Sequence, residues 1–401
     1  MTTPDNQGPA TRIIHNRRHK DAFGSPYSPV YNTTTYRFEN TAALLDVIEG
    51  RSTGNLYTRW GTNPTIQELE QGLAGLENAE AGLAFASGMA AISATLLAHG
   101  RNGIVCVGDL YGGTQELLKN HCQALGIPVT FLFRKEQNQL AETLNEPGKL
   151  VYFETPANPN MRLVDIAAAS KIAHSVDATV VVDNTYATPY LTRPIELGAD
   201  IVLHSATKYL GGHGDVVAGL VVGTAEQIAD IRLVGMKDMT GAVMAPFNAM
   251  LILRGLKTLA LRLDRHVQSA ITVAEWLESH PAIESVSFPG LKSFPQHELA
   301  ERQMDKPGAM IAFELVEGHD AGIALMNNLN LIQRAVSLGD AESLIQHPAS
   351  MTHSTYTPEE RAAHNITEGL VRLSVGLEEV EDILADLAPA LDALPTRIAA
   401  E

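Results

Sequence analysis

The chain has 401 residues, 45% of them hydrophobic and 5% aromatic, which is ordinary globular usage and enough material for two domains with cores of their own. An excess of 46 acidic over 29 basic residues leaves a formal charge of −17, which argues against nucleic acid or anionic membrane surfaces as partners. Residues 1 to 12 lack the apolar core of a secretion signal and no apolar run approaches membrane-spanning length, so a soluble cytoplasmic protein is expected.

Residues 1–60 are rich in Pro, Asn, Thr and Tyr and read as an extended N-terminal arm with one helical stretch, Thr41 to Glu49. Residues 61–250 alternate helical and strand patterns. They predict a helix over 64–77, a small-residue helix from Ala90 to Ala98 with Ser87 as its cap, a helix over 113–124, and strands at 103–107, 128–133, 149–153, 179–183 and 200–204. Such alternation predicts an α/β fold with a mainly parallel, doubly wound sheet. Residues 251–401 predict a smaller C-terminal α+β domain. A long amphipathic helical stretch from Pro246 to Ser279 leads into it, followed by strands at 283–287, 309–315 and 371–375, helices at 319–328 and 378–391, and a frayed tail from Ala393.

The two cysteines, Cys106 and Cys122, lie in apolar or helical context and are expected as reduced, buried thiols. His213, His347 and His353 have no ligand spacing, and no metal is expected.

Chemistry concentrates where polar residues end apolar strands. The β-branched run Thr179-Val-Val-Val-Asp183 carries a carboxylate at its carboxyl end, the edge at which open parallel sheets gather ligands. One crossover later, Ser205-Ala206-Thr207-Lys208 offers two hydroxyls and an amine, with Gly211, Gly212 and Gly214 allowing tight turns. Upstream, Ser87-Gly88-Met89 opens a helix whose free N–H groups suit an anion. A lysine that can condense with an aldehyde, an acid able to keep a ring nitrogen protonated, and a phosphate cradle together describe a pyridoxal 5'-phosphate (PLP) site.

Further motifs occur in a fixed order: Tyr57-Thr58-Arg59, Asn63-Pro64-Thr65, Tyr111-Gly112, Pro156-Ala157-Asn158-Pro159, Val182-Asp183-Asn184-Thr185, Lys208-Tyr209 and Arg372-Leu373-Ser374-Val375-Gly376. With them the chain resembles, from about residue 12 to about 392, the PLP enzymes of cystathionine and methionine metabolism, which have fold type I.

The resemblance implies a role for each matching residue. Lys208 would carry the cofactor and then move protons, Asp183 would face the ring nitrogen, and Asn158 the ring oxygen. Ser87, Gly88, Met89, Ser205 and Thr207 would hold the phosphate, and Tyr57 and Arg59 would reach the phosphate of a neighbouring subunit's site in a dimer or homotetramer. Tyr111 would stack on the ring and help protonate the departing sulfur. Arg372, whose planar guanidinium suits a carboxylate, would clamp the substrate with Ser337 beside it.

Lys237-Asp238-Met239-Thr240 and the run from Ser337 through His347-Pro348-Ala349-Ser350-Met351-Thr352-His353 resemble the carbon–sulfur lyases of this family that act on methionine. They imply α,γ-elimination to methanethiol, 2-oxobutanoate and ammonia, with Lys237 and Asp238 on the substrate side. In many of those lyases a cysteine follows Tyr-Gly, where this chain has Gly113. A smaller residue beside Tyr111 keeps cystathionine, homocysteine and O-acetylhomoserine open as competing substrates, and a non-catalytic cofactor-binding protein is the remote alternative.

Overall fold

The computed structural model describes residues 7–15, 23–133, 137–144, 146–351, 354, 357–363 and 366–394. Thr352 and His353, which end the run beginning at His347, and the tail beyond residue 394 lie outside them.

Seven strands form the larger sheet: β1 (Ala81–Phe85), β2 (Ile104–Val107), β3 (Val129–Leu132), β4 (Leu150–Glu154), β5 (Thr179–Asp183), β6 (Ile201–Ser205) and β7 (Gly219–Gly223), in the spatial order β1-β7-β6-β5-β4-β2-β3. Pairings from β3 through β6 are parallel, and only β7 runs against its neighbours. Side chains alternate between two apolar layers, as a sheet covered on both faces requires. Val151, Phe153, Val180, Val182 and Val202 face one layer. Leu150, Tyr152, Val181, Ile201 and Leu203 face the other.

A second sheet of five strands, β8 (Ile283–Ser287), β9 (Met310–Leu315), β10 (Gln333–Arg334), β11 (Leu344–Gln346) and β12 (Leu370–Ser374), is ordered β10-β11-β12-β9-β8 and is mostly antiparallel. The architecture is therefore α/β with a smaller C-terminal sheet. Among the described residues no helix is long and apolar enough to cross a membrane.

Among the differences from expectation, three bear on how the chain packs. The arm contains a short helix, Pro9–His15, whose Ile13 is buried and whose Arg12 donates to the Gly75 carbonyl at 2.8 Å. The stretch from Pro246 to Ser279 is two helices, Pro246–Leu256 and Leu259–Ser279, separated at Lys257 and Thr258. The guanidinium of Arg262, from the second helix, donates to the carbonyl of Gly255 in the first at 2.9 Å, closing that break. Strands β1 and β7 were not predicted, because glycine dilutes their apolar pattern. Those glycines are needed for close approach: a Cβ at Gly82 would lie 2.6 Å from the Glu70 carbonyl oxygen, and one at Gly219 only 2.1 Å from that of Ser87.

One buried polar cluster ties the carboxyl edge of the large sheet to the helix Pro64–Glu77. Glu77 Oε1 takes a bond from Asn184 Nδ2 at 2.9 Å and lies 2.7 Å from His204 Nε2, and all three residues are fully buried. Asn184 follows Asp183 and His204 precedes Ser205, so this cluster holds both strand ends. Glu77→Ala leaves two buried groups without their acceptor and should lower folding stability by about 2–4 kcal/mol. The check is the urea midpoint at unchanged slope, and a midpoint equal to that of the unchanged chain would reject the anchoring role.

Candidate active site

Three neighbouring strands end in polar groups at one edge: Glu154 on β4, Asp183 on β5 and Ser205 on β6, with Glu154 in register with Asp183. Asp183 Oδ1 accepts the Thr185 backbone N–H at 2.9 Å and also the Thr185 hydroxyl, whose oxygen in turn accepts the Ser205 N–H at 2.8 Å. Burial pushes the Asp183 carboxyl above its ordinary range and the two Thr185 bonds pull it back. Glu154 is raised further, first by burial and then by the charge of Asp183. Two adjoining buried carboxyls cannot both ionise without mutual repulsion, so the pair retains a proton well above the usual carboxylate range.

Lys208 lies just beyond β6. Its Nζ donates to Ser337 Oγ at 2.6 Å, and the Ser337 carbonyl accepts Arg372 Nη2 at 2.9 Å. Arg372, on β12, also donates through Nη1 to Asn158 Oδ1 at 2.6 Å and to the Tyr186 hydroxyl at 3.1 Å. The smaller sheet thus delivers a fixed guanidinium to the edge of the larger one. Burial, with the Arg372 charge second, lowers the Lys208 ammonium to about 8, against a partial opposing pull from Asp340. At pH 7 about one amine in ten is then neutral, far more than for a lysine in water.

The anion cradle is assembled from small residues. Ser87 caps the helix Gly88–His99 by accepting the Ala90 N–H at 3.1 Å. A Cβ at Gly88 would sit 2.8 Å from Ser205 Cβ, so only glycine lets that helix start meet Ser205. Thr207 Oγ1 accepts the Ala218 N–H at 3.0 Å, fixing the turn between β6 and β7. An acid, an isolated amine, two hydroxyls and a free helix N-terminus at one edge fit the nitrogen, aldehyde and phosphate of PLP. Met89 lines this start, where its Sδ and the Tyr111 ring crowd the Cβ position of Gly113 at 3.2 and 2.7 Å.

Tyr111 is half exposed, its backbone N–H donating to Glu154 Oε1 at 2.9 Å. Other expected residues lie apart from Lys208. Arg59 donates through Nη1 to the Lys237 carbonyl at 2.9 Å, Tyr57 packs edge-on against Trp60, and Lys237 Nζ sits 5.5 Å over the Trp60 ring and 3.8 Å from Asp238. Among the described residues no hydrogen bond joins Tyr57, Arg59, Lys237 or Asp238 to Lys208, Ser337 or Arg372. Both cysteines are buried, with their thiols raised by burial.

Glu154, Tyr186 and Asp340 were not expected as site groups. Glu154 carried a signal of the same kind as Asp183, an acid closing an apolar strand. Tyr186, its hydroxyl pushed up to about 12 by burial, follows the Asp183 motif and meets Arg372 across distant segments, and Asp340 is tied to the site only through such contacts.

Comparison with known proteins agrees with this geometry. The model of the family described as "Cys/Met metabolism PLP-dependent enzyme" matches residues 10–392. An L-methionine gamma-lyase of Porphyromonas gingivalis is 54% identical over 96% of this chain and 98% of its own length, and one of Pseudomonas deceptionensis is 54% identical over 97% and 98%. A solved metY chain of Campylobacter jejuni, which carries N'-pyridoxyl-lysine-5'-monophosphate, superposes with a TM-score of 0.91 at 32% identity, covering 96% of this chain and 100% of that one. The chain belongs to the Cys/Met metabolism PLP-dependent enzymes.

Proposed function

We propose that this chain is a carbon–sulfur lyase carrying out α,γ-elimination of L-methionine to methanethiol, 2-oxobutanoate and ammonia. The observation that carries the reading is the linked set Lys208, Ser337 and Arg372, an isolated amine beside a fixed carboxylate clamp. The 54% identity to L-methionine gamma-lyases over nearly the whole chain supports the choice of substrate. When bound, PLP supplies an aldehyde carbon and an electron-accepting ring.

The residues have complementary tasks. Lys208 holds the cofactor and, when free, takes the Cα proton, because a buried amine lowered to about 8 is both available and basic near neutral pH. Asp183 keeps a hydrogen bond ready for the ring nitrogen, and Asn158 for the ring oxygen. Ser87, Gly88, Met89, Ser205 and Thr207 would hold the phosphate. Arg372 would orient the substrate carboxylate, helped by Ser337, and so select which bond at Cα is presented for cleavage. Tyr111 protonates the departing sulfur from the mouth of the site, where its half-exposed ring can meet a substrate.

Tyr57 and Arg59 serve the site of another subunit, so that the working enzyme is a dimer or a tetramer of cytoplasmic chains. In favour of this, Arg59 donates to the Lys237 carbonyl and Tyr57 packs against Trp60, and among the described residues neither is hydrogen-bonded to the cradle residues of its own chain. Lys237 and Asp238 border the substrate entrance in the same assembly.

Gly113 supports a second reading, in which cystathionine, homocysteine or O-acetylhomoserine competes. The Tyr111 ring occupies the space that a side chain at 113 would need, which changes how the sulfur end is received.

Purified, PLP-loaded protein offered methionine and cystathionine in parallel should release 2-oxobutanoate with the higher kcat/KM from methionine, together with methanethiol. A higher constant for cystathionine selects the second reading, and no release from any thioether amino acid rejects both. Lys208→Ala should lose about a thousandfold or more in turnover while remaining folded, and undiminished turnover removes Lys208 from the chemistry. Arg59→Ala should weaken PLP binding by about tenfold or more, measured by equilibrium dialysis. Unaltered affinity there would sink the shared-site assignment.

A further inference from the structure

Asp340 has no task in the mechanism above. It is 8% exposed, yet its Oδ1 has no hydrogen-bond partner. The carboxyl accepts the backbone N–H of Gly214, and a Cβ at Gly214 would lie 3.3 Å from Asp340 Oδ2.

The segment bearing Asp340 is wrapped onto Lys208 at several points. Ser337 Oγ receives the Lys208 amine at 2.6 Å, from a backbone held at φ 99°. Gly339, at φ 80°, packs so closely that a Cβ there would stand 2.7 Å from the Tyr209 nitrogen and 3.2 Å from the Lys208 carbonyl carbon. Its N–H donates to Ser374 Oγ at 2.9 Å, two residues beyond Arg372. Asp340 therefore cannot drift from Lys208 without breaking these contacts.

Two charged groups act on the Lys208 amine: Arg372, which disfavours its proton, and Asp340, which favours it. Asp340 in turn feels Lys208 as an attracting charge, and Glu342 and Asp215 as repelling ones. An α,γ-elimination removes a proton first from Cα and later from Cβ, so its base must accept a proton, release it and accept another. Beside Arg372 alone the amine would hold an accepted proton only at lower pH.

We propose that Asp340 is a positioning residue acting through Lys208: its buried, partly unpartnered charge offsets the Arg372 guanidinium and lets the freed amine hold a proton between the two transfers. This rests on the reading of Lys208 as the base and goes beyond it by naming the group that balances it. The proton passes between substrate carbon and Nζ, with the bonding pair staying on the substrate side, and Asp340 itself exchanges none.

Asp340→Asn retains an acceptor for the Gly214 N–H and removes only the charge, whereas Asp340→Ala removes both. In the cofactor-free full-length chain, acylation of Lys208 by acetic anhydride across a pH series, followed by peptide mass spectrometry, reads the lysine directly. Both variants should move its midpoint down by about half to one unit. In the PLP-loaded enzyme the pH midpoint of the cofactor absorbance should move in the same direction.

An Asp340→Asn midpoint equal to that of the unchanged chain overturns the proposal and leaves Asp340 as a brace for the Gly211–Gly214 turn, whatever Asp340→Ala does. A downward shift in a chain that never releases 2-oxobutanoate sustains the inference about Lys208 while the methionine reading falls, so the two failures are separable.

Discussion

Lys208 is kept largely out of water, with a hydroxyl as its hydrogen-bond partner and a guanidinium nearby. Burying an ammonium this way is unfavourable unless hydrogen bonds and opposite charge offset the lost hydration, so those partners must be held in place. Much of the architecture supplies that rigidity. The turn after β6 is pinned through Thr207 and Ala218, the segment around Ser337 is folded over the amine, and β12 brings Arg372 in from the smaller sheet. The amine therefore depends on two sheets and on a connection of more than a hundred residues between Lys208 and Ser337.

The carboxyl edge of the larger sheet follows a related logic. The Thr185 bonds draw the buried Asp183 carboxyl back toward its charged form, while Glu154 beside it grips the backbone of Tyr111. Adjacent acids in adjacent parallel strands would normally oppose each other. Here one is the electrostatic group and the other a scaffold for a loop.

Strands β4, β5 and β6 were legible because their apolar runs are nearly continuous and each closes on a polar residue, the pattern of strands buried on both faces. The helix start at Ser87 was legible from the cap and its glycine. Strands β1 and β7 were not, because the glycines that allow backbones to meet there also erase the β signal. The helix Pro9–His15 was hidden by its brevity, and the break at Lys257 and Thr258 by the absence of proline or glycine at those positions. At the site, Lys208, Asp183, Asn158, Ser337 and Arg372 could be named from local motifs. Glu154 had the same local signal as Asp183, an acid closing an apolar strand, whereas Asp340 needed the fold, since what distinguishes it is Lys208 across more than a hundred residues.

Arg262 gives the break between the two long helices a mechanical meaning. Besides the Gly255 carbonyl it holds the Tyr209 carbonyl, at 2.9 Å, and the Thr258 hydroxyl oxygen at 3.1 Å, and burial lowers it to about 10. No carboxylate balances it among the described residues, so the guanidinium can rest there only while backbone carbonyls from both sides stay aligned. The peptide carbonyl following Lys208 and the end of the helix Pro246–Leu256 are consequently cross-braced by a single cation. The helix that carries the chain toward the smaller sheet cannot swing as a free hinge. It acts as a strut, and any tilt it undergoes is passed directly to the backbone that bears the lysine.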